Sequence, residues 1–334
     1  MMIEEIAKMA GVSRSTVSRV INNDPHVRES TRARVLEVIR RVNFKPSAVA
    51  RGLASGRTRI IGLIFPTAQS SLFTDPYYPG LVQGITTACN ANDYSVMLWL
   101  TNPEQEQSTV HQLTSNSLLD GLVIASYLID DPLLEALTTS QTPFLLIGRH
   151  PSNNNLNYID ADNMNGAREA VVHLLRLGRQ RIATITGPSK MIAGIDRLEG
   201  YKRAFTERGL RPEPALIVEG DFTESGGYNS MMRLIPQNPD AVFVASDGMA
   251  MGALRALNET GRRVPEDVAV VGFDDIPAAS HMDPPLTTVR QDIPRLGQLA
   301  AETLIQILAE GMMPPHRLVL PTELVIRSSS GLAI

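Results

Sequence analysis

The stretch "AGVSRSTVSRVIN", residues 10–22, decides the fold of the first part of the chain. Gly11 ends an apolar pattern that recurs at helical spacing just before it, at Ile3, Ile6, Ala7 and Ala10. Ser13 is a good N-cap for a second helix, because its hydroxyl can accept hydrogen bonds from backbone N–H groups that are otherwise unpaired. The stretch therefore predicts two helices joined by a tight turn.

The second of these helices has two different faces. Val17, Val20 and Ile21 fall at positions i, i+3 and i+4, which predicts one buried stripe. Two arginines and two serines are left to face outward: Arg14, Ser15, Ser18 and Arg19. An arginine can bridge two acceptors on a guanine edge, and hydroxyls can serve bases or phosphates. The pattern is typical of a helix-turn-helix, whose second helix lies in the major groove of DNA.

A third helix is expected to follow Ser30 or Thr31. Its apolar residues are predicted to face inward: Ala33, Leu36, Ile39 and Val42. Its arginines are predicted to face outward: Arg32, Arg34, Arg40 and Arg41. Together with the first two helices it makes the head of the chain strongly basic.

The charge of the chain is distributed unevenly. Residues 1–59 hold 12 Lys or Arg against 5 Asp or Glu, a balance of +7. The other 275 residues hold 19 against 30, a balance of −11 within a net charge of −4. A basic head on an acidic body is typical of a protein that touches nucleic acid at one end. A basic solubilising tail is the alternative, but such tails are low in apolar residues and this head is not.

The composition indicates a globular protein of two or three folding units, with 43% hydrophobic and 20% charged residues in a length of 334. No apolar run approaches the roughly 18 to 20 residues that a membrane span needs. Glu4 and Glu5 stand where a signal peptide would be positive, so we expect a cytoplasmic protein with no membrane partner. The single cysteine, Cys89, excludes an intramolecular disulfide and agrees with a reducing compartment.

Residues 44–62, "FKPSAVARGLASGRTRIIG", have the composition of a linker. Residues 47–55 could form a helix of under three turns, which is too short to persist alone in water. Gly52 and Gly56 weaken it further. We expect this segment to be helical only when something holds it, and a flexible spacer is the alternative.

Beyond the linker, short apolar runs alternate with amphipathic stretches. The runs predicted as buried strands are "RIIGLIF", "YSVMLWL", "DGLVIAS", "PFLLIG", "RIATIT", "AVFVAS" and "VAVVGF". The predicted helices include residues 77–91, 163–178, 194–209, 224–235 and 247–260. This alternation favours an α/β fold with two doubly wound parallel sheets, the first ending near Asp162 and the second starting near Arg181.

In such sheets ligands bind outside the carboxyl ends of the strands, so the loops that follow the strands are the expected site. These loops carry carboxylates, guanidinium groups, hydroxyls and aromatic rings, at Phe73, Asp75, Tyr77, Tyr78, Arg149, Arg197, Phe222, Ser246, Asp247, Asp274 and Asp275. A carboxylate and a guanidinium can bind neighbouring hydroxyls in pairs, and an aromatic face can cover the apolar side of a sugar ring. For Asp247 an N-cap role is the alternative, and Asp275 could instead brace its loop.

Several segments together resemble the lactose-repressor/galactose-repressor family of bacterial transcription regulators, from residue 3 to about Arg327. They are "GVSRSTVSRVIN", "TRARVLEVIRRVNFKPSAVARGL", "DRLEGYKRAF", "SDGMAMGALRALNETGRRVPEDVAVVGFDD" and "PPLTTVRQD", in the family's order and at its separations. The resemblance implies a helix-turn-helix DNA-binding domain at residues 1–45, a hinge helix at 46–58, and an effector-binding and dimerisation domain at 59–334. That last domain would be periplasmic-binding-protein-like, with an N-lobe at about 59–161 plus 290–320 and a C-lobe at about 162–289 plus 321–334.

The resemblance also implies roles for single residues. In the family, positions matching Arg197, Phe222, Ser246 and Asp274 face the effector, and Leu53 would act with its twin as a wedge in a minor-groove step. The predicted DNA contacts are Ser13, Arg14, Ser15, Thr16, Ser18, Arg19, Asn22, Ala50 and Leu53. The predicted effector contacts are Phe73, Asp75, Tyr78, Arg149, Arg197, Phe222, Ser246, Asp247 and Asp274.

We therefore expect a repressor of sugar-utilisation genes that binds a palindromic double-stranded operator as a homodimer and responds to a small sugar. Met191 stands where the purine-responsive branch of the family carries an arginine, which favours a sugar or sugar derivative. A purine- or phosphosugar-responsive regulator is one alternative, and a solute-binding protein without a DNA role is another. Only seven residues follow Arg327, so we expect no tetramer through the tail.

No cofactor, metal or enzymatic activity is expected. The sequence contains no G-x-S-x-G elbow, no phosphate-binding G-x-x-x-x-G-K-[ST] loop and no G-x-G-x-x-G after a strand. The six histidines show no paired spacing of the kind that zinc sites use.

Overall fold

The computed structural model describes residues 3–21, 24–42, 44, 57–65, 75–100, 118–311 and 314–331. The chain divides into two units, Met1–Thr58 and Arg59–Ile334, and each is described by itself. Four of the predicted contact residues lie outside the described residues, as does most of the predicted hinge helix: Asn22, Ala50, Leu53 and Phe73.

The first unit contains the helices α1 (Ile3–Ala10), α2 (Arg14–Ile21) and α3 (Glu29–Arg41). Gly11 has a φ of +61°, a left-handed conformation that glycine adopts without strain, and it turns the chain between α1 and α2. The backbone N–H of Thr16 donates to Ser13 Oγ at 3.2 Å, so the predicted N-cap is confirmed. A small apolar core joins the helices: Ile6, Ala7, Ala10, Val17, Val20 and Val35.

The sequence prediction for α3 is wrong in its start and in part of its buried face. The helix begins at Glu29, with Arg28 at the N-cap position, so Ser30 and Thr31 lie in its first turn. Val35 is its buried residue, while the predicted inward residues Ala33 and Leu36 are exposed. Ile39 and Val42, also predicted to face inward, are partly buried and pack against the core. A row that repeats every three residues winds about halfway round a helix between residues 33 and 42, so only part of it can face one core.

Arg32 was also predicted to face outward. Its side chain is instead largely covered, and its Nη2 donates to the backbone oxygen of Asp24 at 2.6 Å. This arginine therefore ties α3 to the segment that follows α2.

The second unit contains two six-stranded sheets. The first sheet consists of β1 (Ile60–Phe65), β2 (Ser95–Leu100), β3 (Gly121–Ala125), β4 (Phe144–Ile147), β5 (Tyr158–Ala161) and β11 (Arg317–Leu320). The second sheet consists of β6 (Ile182–Thr186), β7 (Ile217–Glu219), β8 (Ala241–Val244), β9 (Ala269–Asp274), β10 (Thr287–Arg290) and β12 (Glu323–Val325).

The helices of this unit cover both faces of the two sheets. They are α4 (Tyr77–Ala91), α5 (Pro132–Thr139), α6 (Asn163–Arg176), α7 (Ile192–Thr206), α8 (Glu224–Leu234), α9 (Asp247–Glu259) and α10 (Ile293–Glu310). Short 3₁₀ turns lie at Pro214–Leu216, Ile235–Gln237, Pro277–His281 and Ser328–Ser330. None of the helices in the described part of the chain has the length and apolarity to cross a membrane.

The two sheets have the same strand order. The first runs β11–β5–β4–β3–β1–β2, with every neighbouring pair parallel. The second runs β12–β10–β9–β8–β6–β7 and is parallel except at β12, which pairs antiparallel with β10. The predicted α/β fold with two doubly wound sheets is therefore confirmed.

We call the first sheet with α4, α5 and α10 the N-lobe, and the second sheet with α6 to α9 the C-lobe. The chain passes between the lobes three times: between β5 and α6, between β10 and α10, and between β11 and β12. Helix α10 follows β10 in the chain but belongs to the N-lobe. The residues at the three passages form the boundary between the lobes.

Helices α4 and α10 pack closely over one face of the N-lobe sheet. A Cβ atom on Gly84 would overlap the backbone oxygen of Pro294, and one on Gly297 would overlap the backbone oxygen of Leu81. The two helix backbones can therefore touch only because glycine stands at both positions. Both helices begin beside the site described below.

Candidate functional site

The exposed face of α2 presents the groups predicted to meet DNA. Arg14, Ser15 and Arg19 are exposed, and Ser18 and Thr16 are half-buried. Arg14 Nε lies 3.2 Å from Glu4 Oε1, and Arg19 Nε lies 3.8 Å from Asp24 Oδ2. Exposed ion pairs of this kind contribute roughly 0 to 1 kcal/mol, so both guanidinium groups can exchange their partners for phosphates or bases.

Three hydroxyls gather at the start of the same helix. Ser13 Oγ lies 2.8 Å from Ser15 Oγ and 2.8 Å from Thr16 Oγ1. The Ser13 hydroxyl also accepts from the backbone of Thr16, so it caps the helix at the same time. Ser15 is the member of this group that is exposed without a capping role.

A cleft between the N-lobe and the C-lobe is the candidate ligand site. Its space amounts to about 690 Å³, part of which is open to solvent. N-lobe residues line one wall: Asp75, Tyr77, Tyr78, Ser126, Tyr127, Ile147, Gly148, Asp160, Ala161 and Leu296. Residues of the C-lobe and its boundary line the other: Asn163, Met191, Ile192, Ala193, Arg197, Phe222, Ser246, Asp274 and Gln291.

Arg197, on α7, is held from several sides. Its Nε donates to Asn163 Oδ1 at 2.9 Å, and its Nη1 donates to the backbone oxygen of Ala245 at 2.5 Å. The guanidinium lies 3.7 Å from the centre of the Phe273 ring, a cation–π contact. With 4% of its surface exposed, Arg197 is a fixed donor in the wall of the cleft.

Asp274, the last residue of β9, faces this guanidinium. Gln291 Nε2 donates to its Oδ1 at 2.6 Å. Burial raises the pKa of Asp274, while Arg197 and Gln291 lower it. Its φ of 120° is rare for a residue with a side chain, and such strain is concentrated at functional sites.

The neighbouring Asp275 braces this strained turn and does not line the cleft. Its carboxylate accepts from Arg290 Nε at 2.7 Å and from Arg327 Nη2 at 2.6 Å. The bracing alternative considered for Asp275 therefore describes its contacts.

Asp75 and Tyr78 bring the start of α4 to the cleft. Asp75 accepts from the backbone N–H of Tyr77 at 2.9 Å. Burial, together with the nearby Asp274 carboxylate, raises the pKa of Asp75 to about 7. The Tyr78 ring packs edge-on against Phe65 with their centres 5.0 Å apart, so Tyr78 is largely a core residue with one edge in the cleft.

Two of the predicted effector contacts, Arg149 and Asp247, do not line the cleft. Asp247 is fully buried, and its carboxylate accepts from Thr288 Oγ1 at 2.6 Å and from the backbone of Ile276 at 3.0 Å. Burial and the Asp274 carboxylate raise its pKa well above the ordinary value. Asp247 therefore joins α9 to the segments around it, and it is not the N-cap either.

The N-cap of α9 is Ser246, whose Oγ accepts from the backbone N–H of Met249 at 3.2 Å. Ser246 also lines the cleft, so the same residue caps α9 and forms part of the cleft wall. Phe222 lines the cleft with a φ of +66°, and its ring centre lies 5.9 Å from the Arg197 guanidinium.

Arg149 follows β4, but its side chain contacts two carboxylates and does not line the cleft. Its guanidinium pairs with Asp196 on α7 and with Asp160 on β5. Arg149 was predicted to contact the effector directly, but its contacts instead link the two lobes.

Several lining residues were missed because they lie at the passages between the lobes. Asp160 and Asn163 flank the first passage, and Gln291 lies at the second. The acidic and amide groups in "YIDADN" were the available signal for the first two. Met191, noted from the sequence, does line the cleft. No group of three or more metal-ligating side chains occurs among the described residues.

Comparisons with known proteins agree with this division of the chain. Residues 2–47 match the profile of bacterial regulatory proteins of the lacI family, and residues 171–330 match a periplasmic binding protein-like domain. The HTH-type transcriptional regulator CelR of Thermobifida fusca is 38% identical over 331 residues, covering 98% of this chain and 97% of the relative. The HTH-type transcriptional repressor PurR of Haemophilus influenzae (strain PittEE) is 35% identical over 333 residues, covering 98% of each.

Two solved structures are similar over nearly the whole chain. The transcriptional regulator CelR–cellobiose complex has a TM-score of 0.79 at 36% identity, covering 98% of this chain and 99% of that one. The lac repressor dimer bound to operator and the anti-inducer ONPF has a TM-score of 0.87 at 30% identity, covering 99% of each. The exposed basic helix α2, the two-lobed cleft and these likenesses over full length agree, and the chain belongs to the lacI family of bacterial transcriptional regulators.

Proposed function

We propose that this regulator is a repressor that binds a palindromic operator as a homodimer and releases or gains DNA in response to a neutral sugar. The main support for a sugar as the effector is the buried pair of Arg197 and Asp274 in a cleft that also holds aromatic rings. Paired donor and acceptor groups suit neighbouring hydroxyls, and the rings of Phe222 and Tyr127 suit the apolar face of a sugar.

The charge of the cleft argues against a phosphorylated effector. Three carboxylates are among its described lining residues, at Asp75, Asp160 and Asp274, against the single guanidinium of Arg197. A phosphate group adds about 1.5 to 2 negative charges at neutral pH, which the ionised fraction of these carboxylates would repel. A neutral ligand avoids that cost.

The purine alternative has support from one relative, since PurR is 35% identical to this chain. The lining of the cleft disfavours it here. Met191 offers a thioether, which is a weak acceptor, where a purine would call for strong hydrogen-bonding groups along its ring edge. The CelR–cellobiose complex supports the sugar instead.

The DNA side of the proposal rests on α2. A single recognition helix covers a few base pairs, and dimers of this motif read two half-sites about one helical turn apart or a multiple of it. The lac repressor dimer on its operator supports the same arrangement. We further propose a cytoplasmic regulator that needs no cofactor besides its effector and carries out no catalysis.

Two experiments test the proposal. A gel shift of the purified protein with the DNA upstream of its own gene, against random DNA of equal length, should show a specific complex. Calorimetry against cellobiose, ribose, other neutral sugars, glucose 6-phosphate and hypoxanthine should show binding to a neutral sugar.

The outcomes separate the alternatives. A protein that binds sugar but no DNA would be a solute-binding protein. Binding of glucose 6-phosphate or hypoxanthine in preference to every neutral sugar would replace the proposed effector class while leaving the regulator in place.

A further inference from the structure

One guanidinium group joins the two lobes at the edge of the cleft. Arg149, just after β4 in the N-lobe, donates from Nη2 to Asp196 Oδ1 on α7 in the C-lobe at 2.7 Å, and from Nη1 to the other oxygen of the same carboxylate. Two parallel bonds between a guanidinium and a carboxylate form the strongest and most directional kind of ion pair in proteins.

The same arginine also contacts Asp160, a carboxylate that lines the cleft. Its Nη1 lies 3.4 Å from Asp160 Oδ2, and its backbone N–H donates to that oxygen at 3.2 Å. Asp160 is 4% exposed and Asp196 3% exposed, so both acids are almost fully covered. Burial raises the pKa of Asp160 to about 6, and Arg149 opposes that rise.

A second contact between the lobes lies near the first. Lys190 Nζ, in the C-lobe, lies 2.7 Å from Asp130 Oδ2 in the N-lobe, and the backbone N–H of Ile129 donates to Lys190 O at 2.9 Å. Both of these side chains are largely exposed, so their ion pair is weak. The backbone bond nevertheless fixes the same two loops against each other.

Opening the cleft must break the Arg149–Asp196 pair, because its members belong to different lobes. Asp196 and Arg149 would then exchange two parallel charged hydrogen bonds for contacts with water, so these bonds favour the closed arrangement. We propose that Arg149 and Asp196 form a latch that holds the lobes closed over the effector, with Arg149 acting as a positioning residue that also contacts Asp160 in the cleft wall.

This proposal depends on the proposed function only in treating the cleft as the effector site. The closed and open arrangements can be measured without effector or DNA. A failure of the latch and a failure of the proposed function are therefore distinguishable.

The test measures the distance between the lobes by double electron–electron resonance in the full-length protein. Spin labels are attached at Glu135→Cys on α5 and Asn229→Cys on α8, two exposed positions in different lobes. The native Cys89 is buried and does not compete for label. An excess of unlabelled protein ensures that each distance comes from a single chain.

Asp196→Asn keeps the shape of the side chain and removes the charge, and Arg149 keeps Asp160 as a partner. The variant should shift the ratio of long to short interlobe distances about tenfold, the factor expected for loss of one charged hydrogen bond. Arg149→Lys keeps the charge but cannot form two parallel bonds, so its shift should be intermediate. The matched control is Glu213→Gln, which removes a carboxylate from a surface pair with Arg181 inside the C-lobe.

Circular dichroism and thermal unfolding establish that each variant is folded before its distances are compared. An Asp196→Asn protein that is folded and keeps the wild-type distance distribution would overturn the latch. So would a wild-type protein that is already mostly open, or an equal shift in Glu213→Gln. If Asp196→Asn does not fold, Arg149→Lys decides between the same outcomes.

Discussion

The guanidinium of Arg197 and the carboxylate of Asp274 approach to 3.4 Å while their side chains are 5% and 6% exposed. One comes from the middle of α7 and the other from the end of β9, so the pair joins a helix and a strand of the C-lobe. Asn163, Ala245 and Gln291 satisfy much of the remaining hydrogen-bonding capacity of the two groups. The pair thus lines the cleft and also links two elements of the C-lobe.

We expect different consequences from removing each partner. Asp274→Asn should weaken the binding of the effector at least tenfold, because a charged hydrogen bond contributes roughly 1.5 to 3 kcal/mol. Arg197→Ala should abolish effector binding and also lower the free energy of unfolding by about 3 to 5 kcal/mol, since it leaves a buried carboxylate without its partner. Calorimetry and urea unfolding measure the two effects. Unchanged affinity in Asp274→Asn would show that this group is structural only.

The binding of the effector should depend on pH through Asp75. The pKa of Asp75 is raised to about 7 by burial and by Asp274, against the lowering contributions of the Tyr77 N–H and Arg197. A hydroxyl of the effector that donates to this group favours its ionised form and lowers its pKa in the complex. Affinity is then higher above about pH 7 and is lost as the pH falls below it.

Asp75→Asn provides the control for this pH dependence. The variant should bind with an affinity that changes less across the same pH range, and calorimetry in buffers of different ionisation enthalpy should detect fewer released protons. Asp160, whose pKa burial raises to about 6, also lines the cleft and is kept unchanged in this comparison. An equally steep pH profile in Asp75→Asn contradicts the assignment.

The two exposed arginines of α2 should read DNA sequence. Arg14→Ala or Arg19→Ala should each cost about 1 to 3 kcal/mol on the operator and relax the sequence preference at one position. Arg34→Ala, an exposed arginine on α3, is the matched control for the lost charge. Quantitative gel shifts on operator and random DNA measure both effects. Equal weakening on the two DNAs would instead assign Arg14 and Arg19 to phosphate contacts.

The close packing of α4 on α10 should be sensitive to one methyl group. Gly84→Ala should lower the free energy of unfolding by about 1 to 3 kcal/mol, because the new Cβ meets rigid backbone at Pro294. Gly80→Ala on the same helix is the control, since its Cβ would lie 3.3 Å from a side-chain methyl of Ile293 that can move. Helix propensity favours alanine at both positions, so comparable losses in the two variants, by urea unfolding, would show that the contact with the Pro294 backbone is not responsible.

The assembly state can be measured directly. Light scattering at micromolar concentration should give about twice the chain mass of 36.4 kDa, as a two-fold symmetric reader of a palindromic operator requires. A monomer mass with operator binding retained would contradict the predicted dimer.

The sequence predicts the elements of this protein well where a single period governs them. The stripe of Val17, Val20 and Ile21 follows true helical spacing, and α2 lies as expected. The row from Ala33 to Val42 follows a period of three, so the helix turns past it: Ile39 and Val42 pack against the core, while Ala33 and Leu36 are exposed.

The site is predictable from sequence only in part, for a different reason. Residues that directly follow strands, such as Asp274 and Ser246, reach the cleft because parallel strands end at a common edge. Arg149 also follows a strand, yet its direction is set by Asp196, a carboxylate on another lobe. Gln291 lies at a passage between the lobes, and no local sequence pattern marks it as a residue that lines the cleft.

The strand order of the N-lobe has a consequence during protein synthesis. Its edge strand β11 and its covering helix α10 are made after the C-lobe elements α6 to β10, while their partners β5 and α4 are made before those elements. At a synthesis rate of roughly 5 to 20 residues per second, α4 waits on the order of ten seconds or more for α10. For that interval its apolar residues Leu81 and Ile85 have no α10 to cover them, and the nascent chain is open to misassembly with its neighbours on the same messenger RNA.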